Sequence, residues 1–197
     1  MKITALVLAA GSSKRMGQPK MLLPWGKTTV LGQVIETLRS ATIEDILVVT
    51  GGAREQVEQI VMHCAIRSTH NPNHASGEML SSLQAGIRYL AGQERPPDAL
   101  LLCLGDQPQM EARSVRAVAE RFERTRAGIV VPSYQMRRGH PWILARPLWE
   151  EVEALSPVGT MREFLNKHAG EIEYVSVDTP SILADLDTPE DYLKSRP

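Results

Sequence analysis

The strongest constraint in this chain is the order of its apolar runs. Stretches rich in Val, Ile and Leu alternate with segments whose apolar residues recur at helical spacing. That alternation is the pattern of a largely parallel sheet covered by helices. Residues 3–8 form an apolar run of the kind a strand buried on both faces requires. Runs at 46–50, 99–104 and 128–132 predict further strands, and 65–69, 142–145 and 172–177 predict shorter ones. Between them, Val30, Leu31, Val34, Ile35 and Leu38 share one helical face behind Thr29, a suitable N-cap. Residues 55–63, 113–126 and 147–155 also read as helices, as does a stretch from a cap at Ser76 to about residue 90. Thr160 and Glu163 have capping-box spacing, and Thr188-Pro189-Glu190-Asp191 reads as N-cap, N1 proline and acidic first turn. The expected fold is therefore α/β, a three-layer sandwich around a mostly parallel sheet. With no repeat, low-complexity tract or linker, residues 1–197 are expected to form a single domain.

A chain of 197 residues buries about two-thirds of its unfolded surface, so it needs no disulfide or metal staple. Cys64 and Cys103 lie in apolar segments and are expected as reduced core thiols. No apolar run approaches the ~18–20 residues that span a bilayer. The N-terminal run enters a Gly/Ser/Lys/Arg segment without a clean cleavage region, so a cytoplasmic location is expected. A net charge of −1 argues against nucleic acid or an anionic membrane as partner. The charge is nevertheless uneven. Residues 1–35 hold Lys2, Lys14, Arg15, Lys20 and Lys27 and no acid, whereas seven acids and no Lys or Arg lie between Lys167 and Lys194.

The segment Leu8-Ala9-Ala10-Gly11-Ser12-Ser13-Lys14-Arg15-Met16-Gly17-Gln18-Pro19-Lys20 follows the first expected strand. Small residues let backbone N–H groups approach a phosphate, Arg15 offers a planar fork and Lys20 a mobile charge. Ligands of open α/β sheets bind beyond the carboxyl ends of the strands, where this loop belongs. It lacks the G-x-G-x-x-G dinucleotide fingerprint, and Gly26-Lys27-Thr28 imitates the end of a Walker A loop without its first glycine. Asp106, in Gly105-Asp106-Gln107-Pro108, ends another buried strand on the same edge. A single carboxylate there suits Mg²⁺, which takes most of its ligands from phosphate and water, and it equally suits turn capping. Asp185 and Asp187 share a face if their segment is extended, and either complete a metal site or precede the capped helix. His63, Cys64, His70 and His74 match no recurrent zinc spacing.

Together these segments resemble the MobA-like nucleotidyltransferases. Residues 8–20 are similar to that family's L-A-A-G-x-S-x-R-M-G-x-P-K signature, and Gly105-Asp106-Gln107-Pro108, Gly139-His140-Pro141 and Asp185-x-Asp187-Thr188-Pro189-Glu190-Asp191 follow in the family's order. The resemblance spans about residues 3–192 and is closest to the molybdenum cofactor cytidylyltransferases. It implies a nucleotide-diphosphosugar-transferase-like fold and transfer of CMP from CTP, or of another NTP's nucleotidyl group, to the phosphate of molybdopterin. Ala9, Ala10, Gly11, Arg15 and Lys20 would bind the nucleotide with Gly77, Ser82 and Asp106, and Ser81 is a further candidate. Arg15, Lys20 and Asp106 would be catalytic, Asp106 and Asp187 would hold Mg²⁺ or Mn²⁺, and His140 would meet the acceptor, with Arg137 or Arg138 assisting. The Ala-Ala-Gly form, through Ala10, points to CTP rather than GTP. A recipient molybdoenzyme is an implied partner. Cytidylyl or uridylyl transfer to a sugar or polyol phosphate is the nearest alternative. A non-catalytic molybdenum-cofactor-binding accessory protein is the alternative outside enzymes.

Overall fold

The computed structural model describes residues 1–11, 13–75, 79–156 and 160–197. In chain order the elements are β1 (Ile3–Ala9), β2 (Pro24–Trp25), β3 (Thr28–Thr29), α1 (Val30–Ser40), β4 (Ile46–Thr50), α2 (Arg54–His63) and β5 (Arg67–His70). Then follow α3 (Met79–Ala91), β6 (Ala99–Leu104), α4 (Ala112–Thr125), β7 (Ile129–Tyr134), β8 (Arg137–Arg138) and β9 (Trp142–Ala145). The chain ends with α5 (Trp149–Glu153), α6 (Met161–Lys167), β10 (Ile172–Ser176) and α7 (Pro189–Ser195).

The main sheet runs β10-β7-β9-β6-β1-β4-β5, with β8 paired to β7. Strand β1 is parallel to both neighbours, Ala5 lying opposite Ile46 on one side and Leu101 on the other. Strand β9 alone runs against its neighbours β6 and β7 in this order, so the sheet is mixed but mostly parallel. The chain leaves β1 toward β4 and β5 and later returns to β6 on the other side. A crevice therefore opens beyond the carboxyl ends of β1 and β6, where α/β sheets take their ligands.

Strand alternation builds the three layers. Ala5, Val7 and Ala9 pack with α1, α2 and α4, whereas Leu6 and Leu8 pack with α3, α5 and α6. Helix α1 buries Val30, Leu31, Val34, Ile35 and Leu38 completely, worth about 1.5–3 kcal/mol per large side chain. Its N-cap is Thr29, whose hydroxyl accepts from Gly32 N at 3.0 Å. Gly86 of α3 lies so close to β1 that a Cβ there would meet a Leu6 methyl at 2.5 Å. A third, smaller core joins Met16, Leu23, Trp25, Val30 and Leu186, with Tyr192 of α7 against it.

Several expectations shift in detail. The expected helix over 147–155 is a 3-10 turn, Arg146–Leu148, followed by the short α5, with Pro147 in the turn. Strand β5 starts at Arg67 rather than 65 because Ala65 has φ +52°, which no strand residue adopts. Cys103 is fully buried as expected, and burial pushes its thiol far up. Cys64 is a correction: it is half-buried at the end of α2, where its carbonyl accepts from Arg39 Nη2, rather than a core thiol. Gly26 and Lys27, the Walker-like residues, are the two-residue turn of the β2–β3 hairpin, with Gly26 at φ +57°. Ser76, expected to cap α3, lies outside the described residues.

Candidate functional site

The loop after β1 carries the expected cationic residues on two 3-10 turns, Lys14–Met16 and Lys20–Leu22. Ser13 at φ 48° and Gly17 at φ 68° bracket the first turn, and the Ser13 hydroxyl accepts from Lys20 N at 3.1 Å, closing the loop on itself. Gly51, after β4, meets the backbone of Ala10 where a Cβ would stand, so the loop also lies flat against the neighbouring strand end.

Lys20 reaches from this loop to the ends of β6 and the C-terminal segment. Its Nζ pairs closely with Asp106, lies 3.6 Å from Asp187 Oδ1 and donates to the Leu186 carbonyl at 3.1 Å. Both Lys20 and Asp106 are largely buried, at 12% and 15% side-chain exposure. Burying an ion pair costs desolvation that its attraction barely offsets, so such a pair at strand ends marks a working site more than a stabilising one. Arg15, largely exposed, holds the other oxygen of Asp187 at 3.2 Å. Leu186 is buried in the third core and turns Asp185 and Asp187 outward on either side of it. They take different partners: Asp187 meets Lys20 and Arg15, while Asp185 Oδ1 accepts from Gln107 Nε2 at 2.5 Å. Neither carboxylate caps α7; that role belongs to Thr188 with Asp191. Although Asp185 is open to solvent as a residue, its carboxyl is crowded, and desolvation, then the nearby Asp106 and Asp187 charges, raise its pKa against the Gln107 bond.

Beside this cluster lies a cavity of about 380 Å³ lined by Ala10, Gly11, Lys20, Met79, Ser82 and Asp106, with His74 on its wall. Ser82 is held by buried Asn71, whose Nδ2 donates to Ser82 Oγ at 3.1 Å and to Ser81 Oγ at 2.9 Å. Ala9 does not face the cavity; its side chain packs with the α1 layer and only its backbone reaches the strand end. Gly77 lies outside the described residues.

His140 is elsewhere. A second cavity of about 720 Å³ is lined by His140, Trp142, Arg138, Met136, Arg162 and Asn166, among others, and it shares Met79 with the first. The His140 ring stacks on Trp142 at 4.5 Å and 11°. Its Nε2 is enclosed without a hydrogen-bond partner among the described residues, and burial pulls its pKa down to about 4, leaving a neutral imidazole. Gly139 leaves no room for a Cβ against Ile182, whose carbonyl accepts from His140 N at 2.9 Å, so the ring is locked in place. Of the two neighbouring arginines, Arg138 lines this cavity and Arg137 does not.

Asn71, Gln107 and Arg162 are the site side chains that sequence reasoning missed. Asn71 and Gln107 had a usable signal, being polar residues at strand carboxyl ends; exposed Arg162 had none.

The donor set suits a divalent cation. Asp106 and Asp187 both approach one positive centre, the Lys20 ammonium. Among the described residues no group of three or more His, Cys, Asp or Glu converges to hold a metal on protein ligands alone. Two carboxylates fit Mg²⁺ or Mn²⁺ sharing its shell with water and phosphate.

The sequence profile of the MobA-like NTP transferase domain matches residues 5–172. A protein named molybdenum cofactor cytidylyltransferase, from Escherichia coli (strain K12), is 28% identical over 98% of this chain and 95% of its own. Nicotine blue oxidoreductase of Paenarthrobacter nicotinovorans is 28% identical over 95% of this chain and 93% of its own. Among solved structures, Rv0371c of Mycobacterium tuberculosis H37Rv in complex with manganese superposes with a TM-score of 0.75 at 29% identity, covering 98% and 97% of the two chains.

Proposed function

The chain belongs to the MobA-like NTP transferase family, and from that premise we propose that it moves CMP from CTP to the phosphate of molybdopterin, releasing pyrophosphate. Residues 1–197 act as one nucleotidyltransferase domain. The observation that carries the reading is the Lys20 ammonium pairing with Asp106 and Asp187 beside a cavity lined by Ala10 and Gly11. The name of the Escherichia coli relative supports CTP and the molybdenum cofactor as the two substrates.

The roles follow from chemistry. Backbone N–H groups of Ala10 and Gly11, reached past Ala9, cradle the triphosphate, and Ser82, with Ser81 beside it, faces the nucleoside, a role Gly77 is proposed to share. Arg15 and Lys20 turn from Asp187 and Asp106 to the phosphates and stabilise charge on the bridging and leaving oxygens. Asp106 and Asp187 would hold a divalent cation, Mg²⁺ or Mn²⁺, which when bound would supply Lewis-acid neutralisation of phosphate charge. The acceptor phosphate, with a second ionisation near pH 6, is already nucleophilic at neutral pH and needs no dedicated base. The protein's task is in-line alignment. The larger cavity seats the acceptor, with His140 Nε2 as a neutral hydrogen-bonding partner and Arg138 and Arg162 at hand for anionic groups.

Pyrophosphate release with each of the four NTPs, with and without molybdenum cofactor, tests this reading. Cofactor-dependent release from CTP is expected. Release driven by a sugar or polyol phosphate would replace the acceptor. Cofactor binding without release would favour an accessory protein, and redox turnover without release would favour the activity named for the Paenarthrobacter relative.

A further inference from the structure

The segment that carries Asp187 is docked to the end of β6 by two bonds that touch none of the cations. Leu186 N donates to the Asp106 carbonyl at 3.2 Å, and Gln107 Nε2 donates to Asp185 Oδ1 at 2.5 Å. Gln107 is buried, 1% exposed, and its Oε1 has no hydrogen-bond partner among the described residues. Its amide N–H is directed at Asp185, the one carboxylate of this cluster that neither Lys20 nor Arg15 pairs with.

Asp187 pairs with Lys20 and Arg15, and it is itself 46% exposed. Under the function proposed above, on which this step rests, both cations leave Asp187 for the triphosphate. The Gln107–Asp185 bond and the Leu186–Asp106 bond engage no group with a second task, so they persist when substrate arrives. We propose that Gln107 and Asp185 are a positioning pair that holds Asp187 facing Asp106 in the nucleotide-loaded protein. Neither touches substrate; both act through Asp187.

Manganese titration of the full chain in the presence of CTP, read by the electron paramagnetic resonance of free Mn²⁺, tests the pair. Gln107→Glu sets two carboxylates against each other and is expected to weaken Mn²⁺ binding by about tenfold, the scale of losing an outer partner of a metal ligand. Asp185→Asn alone keeps a carbonyl acceptor for Gln107 and is expected to lose less. The double variant Gln107→Glu/Asp185→Asn restores one bond with donor and acceptor exchanged, at the original net charge, and is expected to return to within about threefold of the parent. CTP binding without metal is expected to stay level throughout, and thermal melts of each variant confirm the fold. Parental Mn²⁺ affinity in Gln107→Glu, or a double variant as weak as Gln107→Glu in a folded protein, overturns the pair. If the unaltered protein binds no Mn²⁺ with CTP, the transferase reading fails first and the pair with it.

Discussion

The two cavities are made in different ways. The smaller is walled by loops that follow the parallel strands β1 and β6, and its cations and carboxylates sit on backbone closed by its own hydrogen bonds. The larger is walled by the antiparallel strand β9, the β7–β8 hairpin and α6, which lie close together in the chain, with Met79 and Leu80 of α3. Its polar groups are a neutral imidazole, two flanking arginines, Thr160 and Asn166, with no carboxylate among the described residues, and three methionines stand among the apolar walls. Methionine adapts its shape, so this wall suits a bulky ligand where the first suits a charged one. Under the proposed function, charge handling and acceptor fit would fall to separate parts of one molecule, meeting at Met79.

The largest break expected in that comparison is at the charged side. Asp106→Asn should lower turnover by about 10³-fold, comparable with removing a main electrostatic group from a transition state, while the fold survives; pyrophosphate release and a thermal melt check both halves. Near-parental activity at saturating Mg²⁺ would remove Asp106 from the metal site.

The next effect belongs to the larger cavity and appears as pH-dependent stability. His140 titrates near 4 when folded and near 6.5 when unfolded, so the unfolded chain binds more protons between those values. Stability therefore falls as pH drops from about 6.5 to about 4, by up to roughly 3 kcal/mol. His168 has the opposite sign: hydrogen bonding to Glu151, and then Glu171, raises its pKa against desolvation. Its contribution is full below pH ~6.5 and is lost as pH rises through the folded value. Urea midpoints at pH 4.5 and 7 for the parent and His140→Phe would separate the two, since the acid-side slope should vanish only in the variant.

Gly86→Ala tests the helix common to both cavities. A methyl pressed on Leu6 should cost about 1–3 kcal/mol, partly offset by the ~1 kcal/mol helix preference of alanine. A denaturant melt measures the difference, and α3 displaced by the clash should disturb both substrates' KM. Smallest is Arg162→Ala, on an exposed helix face. It should raise the acceptor KM by about tenfold, or ~1.4 kcal/mol, with CTP KM and kcat within about twofold. Equal shifts in both KM values would contradict the division.

Legibility followed the same line. The layers were readable because strand and helix burial leave local periods, as in residues 3–8 and in Val30, Leu31, Val34, Ile35 and Leu38. The direction of β9 was not, since a short apolar strand reads alike both ways. The β7–β8 turn was hidden as well: Gln135 and Met136 take φ 48° and 65° without the glycine or asparagine that announces such turns. Gly26-Lys27 shows the reverse, a phosphate-like string serving as a hairpin turn.

From the sequence alone came the strand–loop pattern, the small residues and cations of the loop after β1, and the choice of carboxylates, because each depends on near neighbours. Tertiary structure decided which of them meet. Lys20 touches a segment 166 positions away, and that contact depends on burying Leu186 against Met16, Leu23, Trp25 and Val30. It also separated Arg138 from Arg137 and placed His140 beside Trp142 in a different cavity from Lys20. Local spacing sets what a residue can do, but packing between distant segments sets what it does it to.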